Sequence, residues 1–356
     1  MSKNIVHIVG TGTIGEPLIG LLCAHKEDFG IDEVTFHKNS ARINDKPKID
    51  SLIRKGAHLA ANESNMASFR ELGHEVAYES EEAISRATVV IDCTPAGVGT
   101  DNKHNYYEKY ADKVRGFIAQ GSEFGFGKMY ARGINDHVLD RDHDQFLHVV
   151  SCNTHNIAAL LKTIGHTEDD GLSVVDGRFT CLRRANDISQ DGSFVPAPQV
   201  GKHSDPRFGT HHARDAYHLF QTMGCELDLF SSAVKLNSQY MHALHFAIRL
   251  DEKVTLDEVM ARFAANKRVA MSLKMSANSV FSFGREHGHY GRILSQTVVS
   301  TPTLAIRGEH EVVGFCFTPQ DGNSLLTSLA ATLWFLDPES LDRRLDVIRP
   351  YLFQEV

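Results

Sequence analysis

The sequence predicts an α/β fold in two domains. Residues 1–150 form a parallel-sheet domain, completed by a C-terminal helical segment at 320–356, and residues 151–319 form an α+β catalytic domain with a mainly antiparallel sheet. Three observations carry this. Over the first 150 residues short apolar strands alternate with helical stretches, the pattern of a parallel sheet covered on both faces. After about residue 165 the alternating runs lengthen, as antiparallel strands require. The chain's 356 residues also exceed what one ordinary core organises.

In order, "NIVHIVG" reads as the first strand and "IGEPLIGLLCAHKEDF" as the first helix. "EVTFHKN", "HLAAN", "HEVAYE", "TVVIDCTP", "GFIAQG" and "FLHVVS" follow as strands. "SEEAISRA" opens a helix with Ser80 before two glutamates, and "NTHNIAALLKTI" opens another after Cys152 with cap-like Asn153 and Thr154. In the second half "LSVVDGRFTCLRRA" and "LDLFSSAVKLNSQYMHALHFAIRL" read as strands, with "TLDEVMARFAANKR" as a helix laid on them. The segment from Asp187 to Tyr217, rich in Gly, Pro, Ser and His, reads as a long loop, which in a compact domain is usually functional. "GNSLLTSLAATLWFL" has helical spacing and is expected to pack back on the first domain.

Hydrophobic residues make up 42% and charged residues 23% of the chain, with no low-complexity tract, so nearly all of it should fold. The formal net charge is −8 and the basic residues are scattered, which predicts no nucleic-acid footprint. The first apolar run is broken by Gly and Thr well short of a membrane span, so neither a signal peptide nor a membrane anchor is expected. Six cysteines lie far apart without a CxxC pair. That spacing argues against a zinc site and a disulfide framework and makes a reducing cytoplasm the simplest location.

Gly10, Gly12 and Gly15 form GxGxxG between the first strand and the first helix. The first glycine permits the tight turn, the second lets backbone approach a pyrophosphate, and the third lets the helix pack on the strand. In this context the motif predicts a Rossmann dinucleotide-binding domain. At the end of the second strand His37, Lys38, Asn39 and Ser40 offer no carboxylate for a ribose hydroxyl but do offer a cation and donors to a 2′-phosphate. Use of NADP, alone or alongside NAD, is therefore expected.

Residues 149–156, "VVSCNTHN", place Cys152 between a buried strand and a helix N-terminus. The helix dipole there lowers a thiol pKa, and the same amides can hold an oxyanion. A lone cysteine at a strand end is more commonly a small apolar residue. A dinucleotide site in the same chain adds a hydride acceptor, and the pair is what oxidising an aldehyde to a thioester needs.

The blocks "SCNT" at 151–154, "DCTPAGVGTDNKHNY" at 92–106, "AQGSEF" at 119–124 and "LRRAND" at 182–187 together resemble the archaeal-type (type II) glyceraldehyde-3-phosphate dehydrogenases. So do "THH" at 210–212, "MHALH" at 241–245 and "TPQDGN" at 318–323. The resemblance implies that Cys152 attacks the aldehyde and that His242 is the base, with His245 a poorer match to the family's second histidine. It implies Ser151, Asn153, His211 and His212 on the substrate, with Arg183 a candidate for a phosphate. Thr13, Ile14, Gly121, Arg184 and Gln320 fall to the cofactor beside the three glycines and Lys38. Two departures stand beside these ligands: His155 follows "SCNT" where relatives carry Thr, and "HHARD" at 211–215 replaces "HHGPD". The implied activity is phosphorylating oxidation of glyceraldehyde 3-phosphate with inorganic phosphate, by a homotetramer. A semialdehyde or acyl-phosphate reductase, a non-phosphorylating aldehyde dehydrogenase and a non-catalytic dinucleotide sensor are the alternatives.

Overall fold

The computed structural model describes residues 3–167, 171–187, 190, 192, 194–319 and 321–356. The chain divides into two compact units, one of residues 1–128, 139–149 and 327–348, the other of 129–138, 150–326 and 349–356. The first half of the chain runs β1 (Ile5–Val9), α1 (Gly15–Ala24), β2 (Glu33–His37), α2 (Lys46–Arg54), β3 (Ala57–Ala61), α3 (Glu63–Glu71) and β4 (Tyr78–Glu79). It continues with α4 (Ser80–Arg86), β5 (Val89–Asp92), α5 (Val98–Asn105), β6 (Gly116–Gly121), β7 (Lys128–Tyr130) and β8 (Phe146–Val150). Next come α6 (Cys152–Ile164), β9 (Val174–Arg183), β10 (Gln199–Val200), α7 (His211–Gln221), β11 (Asp228–Lys235), β12 (Ala243–Leu250) and α8 (Leu256–Ala265). The chain closes with β13 (Val269–Ser272), α9 (Ala277–His287), β14 (Thr297–Arg307), β15 (Glu311–Phe317), α10 (Gly322–Leu336) and α11 (Leu341–Leu345).

In the first unit the strands follow the order β4-β3-β2-β1-β5-β6-β8-β7, and β4 through β6 pair in parallel. β1 and β5 are buried on both faces, which is why each is a continuous apolar run instead of an alternating one. The order reverses at β1, with β2 on one side and β5 on the other, a switch point of the kind beside which α/β sheets bind ligands. The C-terminal part of α10 packs here: Gly116 on β6 leaves room for the Phe335 ring, and Arg115 Nη1 donates to the Leu336 carbonyl at 3.2 Å.

The second unit holds a mixed, mainly antiparallel sheet ordered β10-β11-β9-β12-β15-β14-β13, in which β9·β11 and β13·β14 are the parallel strand pairs among the described residues. α6 packs against α7, α8 and strands β9, β12 and β14. It is buried from Asn153 through Leu161, so its hydrophobic face cannot be read as a stripe. No helix among the described residues is long and apolar enough to cross a membrane.

Several local expectations change. α4 is capped by Glu79, whose carboxylate accepts from the amides of Glu81 at 2.7 Å and Glu82 at 3.2 Å, leaving Ser80 as the first helical residue. α6 starts at Cys152 with Ser151 as N-cap, so Asn153 and Thr154 lie inside the first turn. α7 begins at His211, within the segment expected to be loop, because Ala213, Ala216, Tyr217 and Phe220 form an apolar helical face. β7 was not anticipated from the sequence, and "HEVAYE" contributes only the two residues of β4.

Candidate active site

In the first unit the turn after β1 is built as its glycines require. Gly10 has φ of 97°, and a Cβ on Gly15 would lie 2.1 Å from the Gly10 carbonyl oxygen. A Cβ on Gly12, by contrast, would meet nothing within 4 Å. α1 starts after Ile14 without a side-chain cap. An uncapped helix N-terminus next to open space at Gly12 fits the pyrophosphate of a dinucleotide, and Thr13 and Ile14 lie between that glycine and the helix. Gly15→Ala is expected to force the turn apart at a cost of about 1–3 kcal/mol. Titration with NADPH should show at least a tenfold loss of affinity, and unchanged affinity would argue against this turn as the pyrophosphate site.

At the end of β2, Lys38 Nζ pairs with Asp45 at 2.9 Å, and His37 Nε2 lies 3.2 Å from Asn62 Oδ1. A carboxylate thus stands beside the expected cation, supplied from outside the strand end where the sequence shows none. Gly121, at the end of β6 with φ of 81°, likewise has open space where a side chain would be. Two blocks that the sequence shows only as neighbours in a motif series prove to be bonded. Glu123 accepts from the Gly97 amide at 2.5 Å and the Thr100 amide at 2.9 Å. Asp92 accepts from the Asn102 amide group at 2.8 Å and the Tyr107 hydroxyl at 2.5 Å. These buried carboxylates anchor α5 after β5.

In the second unit Cys152 sits, partly exposed, at the first position of α6. Its carbonyl accepts from Asn323 Nδ2 at 2.9 Å. Burial, and then the negative charge of Asp321, pushes the thiol well above its ordinary range, against the pull of Arg184. The resting group is therefore a thiol, and the thiolate expected from the helix dipole is outweighed. Arg184 is buried and ion-paired with Asp321 at 2.9 Å and Asp187 at 3.1 Å. Burial opposes its charge, but these carboxylates raise its pKa further.

The backbone amide of Arg184 donates to His242 Nδ1 at 3.0 Å. That bond occupies the Nδ1 lone pair, so the neutral ring carries its proton on Nε2. Burial and then the Arg184 charge lower His242 to about 3, so the ring stays neutral at ordinary pH. His245 lies three residues on, and the strand period of two turns it away from the face that buries Leu244 and Phe246. It packs instead against the Phe315 ring, 4.9 Å between centroids.

His211 and His212 open α7, their rings 3.9 Å apart. Neither ring nitrogen of the buried His212 has a hydrogen-bond partner among the described residues. Burial, then the charges of Arg183 and Arg214, holds His211 at about 4, and burial keeps His212 well below its usual value. A helix N-terminus, an unsatisfied buried imidazole and nearby Arg183 are the donors an anion needs. Arg214 spends its guanidinium on Asp215 at 2.8 Å.

Among curated proteins the chain is 30% identical to a glyceraldehyde-3-phosphate dehydrogenase of Methanococcoides burtonii, over 76% of this chain and 74% of the relative. It is 27% identical to that of Sulfolobus acidocaldarius over 86% and 85%, and 27% identical to that of Archaeoglobus fulgidus over 80% and 79%. The chain belongs to the archaeal-type glyceraldehyde-3-phosphate dehydrogenase family. No family model matches it.

Set beside the roles that family membership suggests, the structure brings Cys152, Arg184 and His242 together. Arg183, His211 and His212 adjoin that group. Arg184, expected on the cofactor, is engaged with Asp321 and Asp187. Asn153, expected on the substrate, is buried with its Oδ1 accepting from Thr318 at 3.0 Å, and Ser151 Oγ bonds Thr154 Oγ1 at 2.9 Å. His155, the departure from the family's threonine, is fully buried. Its Nδ1 lies 3.1 Å from the Ser151 carbonyl, and a bond there ties the helix start to the residue before the nucleophile. Gln320 lies outside the described residues. Asp321 carries no signal of its own in the sequence beyond its place in "TPQDGN", where an Asp-Gly pair reads as a turn.

The buried neutral histidines also set the acid limit of the fold. His7, buried on β1, and His242 are both lowered to about 3, His7 chiefly by burial and then by His37. Below pH 6.5 the unfolded chain takes up protons at these sites and the native chain does not. Stability present above 6.5 is therefore lost as pH falls towards 3, at about 1.4 kcal/mol per pH unit per histidine. The thermal midpoint should drop between pH 7 and pH 5, and the drop should be smaller in His7→Gln.

Proposed function

We propose that the chain is an NAD(P)-dependent glyceraldehyde-3-phosphate dehydrogenase that oxidises its aldehyde through a Cys152 thiohemiacetal and thioester. The observation that carries this reading is the grouping of Cys152 at the α6 N-terminus with His242 and a cationic corner at α7. Cys152 Sγ forms the bond to the aldehyde carbon. His242 Nε2–H donates to the oxygen that becomes an alkoxide, a role in which the ring holds its proton throughout, unlike the base the resemblance implied. His211, His212 and Arg183 receive the substrate's phosphate. The bound nicotinamide dinucleotide, held by the turn from Gly10 to Gly15, supplies the hydride acceptor. Lys38 favours NADP and its partner Asp45 permits NAD.

Inorganic phosphate is the acyl acceptor in the phosphorylating reading, giving 1,3-bisphosphoglycerate. One observation favours a non-phosphorylating variant: the negative charge of Asp321, which helps to raise the Cys152 thiol, opposes the approach of a phosphate dianion. NADPH and NADH formation from glyceraldehyde 3-phosphate, with and without inorganic phosphate, separates the two. Strict phosphate dependence supports the first, and indifference to phosphate supports the second. No turnover on the triose phosphate or on semialdehydes leaves only a dinucleotide sensor. His212→Ala should raise KM for the phosphorylated aldehyde about 10- to 100-fold with a smaller change in kcat. An unchanged KM would remove the phosphate from α7.

A further inference from the structure

Thr318, one residue past β15, collects bonds from both halves of the Cys152–His242 site. Its backbone N–H donates to the His242 carbonyl at 3.0 Å, extending the β12·β15 ladder one step beyond Ala243 and Phe317. Its hydroxyl donates to Asn153 Oδ1 at 3.0 Å and accepts from Asn156 Nδ2 at 2.9 Å. Asn153 and Asn156 stand three residues apart on one face of α6, at the turn that Cys152 opens. Asn156 Oδ1 in turn accepts from the Cys316 thiol at 3.4 Å, the nearer of that thiol's two acceptors. All four residues are at most 2% exposed. Burying two amides and a hydroxyl costs free energy unless each is paired, and an apolar patch would pack α6 on the sheet without that demand. What the polar set adds is direction. Burial holds the Cys316 thiol up at about 12, so it is a donor, and Asn156 turns its oxygen to the sulfur and its amide group to Thr318. The hydroxyl then has its one proton left for Asn153. Donors and acceptors follow a single order from Cys316 through Asn156 and Thr318 to Asn153, which leaves each amide one orientation.

We infer that Thr318 is a positioning residue, whose hydroxyl fixes the first turn of α6, and with it Cys152, against the strand end that carries His242. Its effect on turnover rests on the dehydrogenase reading. The nucleophile is already held at its own carbonyl by Asn323, and the His242 ring by the Arg184 amide. Neither bond joins the helix to the histidine. Thr318 does, through its side chain on one side and its main chain on the other. Addition to an aldehyde needs sulfur at the carbon and a donor at the oxygen of one carbonyl group, and a misplacement of about 1 Å costs on the order of 100-fold in rate.

Two substitutions in the full chain separate the hydroxyl from the packing. Thr318→Val keeps the shape and the backbone N–H but removes the hydroxyl, and Thr318→Ser keeps the hydroxyl but loses the methyl. Both should lower the thermal midpoint, valine by orphaning the two asparagines and serine by leaving a void. Turnover should follow the hydroxyl instead. kcat for NADPH formation from glyceraldehyde 3-phosphate should fall about 10- to 100-fold in the valine variant, with a smaller change in KM, and stay within about twofold of wild type in the serine variant. NADPH affinity should be the same in all three, since the glycine turn belongs to the other unit. A wild-type kcat in the valine variant, or an equal loss in both, overturns the assignment. If the valine variant does not fold, Thr318→Ala takes its place: serine and alanine both lose the methyl, only alanine loses the hydroxyl, and equal kcat in the two overturns the assignment. Hydrogen exchange read by peptide mass spectrometry over residues 151–160 needs no aldehyde. Amides there should exchange about tenfold faster in the valine variant, or in the alanine variant that replaces it, than in wild type or the serine variant. Unchanged exchange overturns the assignment. A wild-type chain inert towards glyceraldehyde 3-phosphate whose variants show this exchange pattern would sink the dehydrogenase reading and leave Thr318 holding the turn of Cys152.

Discussion

Cys152→Ser is expected to lose aldehyde-dependent NAD(P)H formation by a factor on the order of 10⁴ or more, because the nucleophile and its covalent intermediate disappear together. A hydroxyl is a far weaker acid than a thiol, so serine offers no comparable nucleophile in its place. The fold should be indifferent: the side chain is partly exposed, nearly isosteric with serine, and the helix start is held by Asn323 and His155 through backbone carbonyls. NADPH binding should persist, since the glycine turn belongs to the other unit. Steady-state assay, thermal denaturation and cofactor titration on one preparation check all three expectations. More than a tenth of wild-type turnover in the serine variant would mean that another group carries the chemistry. Cys181 and Cys316 are poor substitutes, being fully buried and raised to about 12 by desolvation.

His242→Ala should lower kcat about 10²- to 10³-fold with little change in KM, the loss expected when a donor aimed at a developing oxyanion is removed. The pH profile distinguishes this from base catalysis. A ring lowered to about 3 is neutral at every pH the enzyme works in, so wild type should show no inflection near 6.5 that vanishes in the variant. An acid limb near 6.5 in wild type, abolished by His242→Ala, would restore the histidine as the base. The variant also leaves the Arg184 amide without its acceptor, costing about 1–3 kcal/mol, so thermal stability should fall alongside turnover.

How far the site could be read in the sequence follows from the kind of signal each residue carries. Gly10 and Gly15 are legible because their reasons are local: a positive φ and a helix crossing its own strand end within six residues. Cys152 is legible because a strand ending in a polar, helix-opening stretch is a local pattern. Asp321 is illegible because nothing near it in the chain needs a charge; its partners Arg184 and Cys152 come from 137 and 169 residues away. His155 misleads for a related reason. Three residues after the nucleophile, it turns into the core and bonds backward to Ser151.

The ionisation of Cys152 shows the same limit. The helix dipole is a property of the segment and correctly predicts a downward pull, but burial and a carboxylate brought from the start of α10 reverse it. The capping of α4 differs in scale only, Glu79 reaching two residues forward where Ser80 had looked sufficient.

By itself the sequence determined the alternation that makes a parallel sheet, the dinucleotide turn at its first strand and the cysteine at a helix start, since periodicity and backbone sterics act within a few residues. Only the tertiary structure decided which charges surround that cysteine and which nitrogen of His242 holds the proton. Electrostatic neighbours act through space over a few ångströms, and in this chain those ångströms join segments separated by most of the second unit.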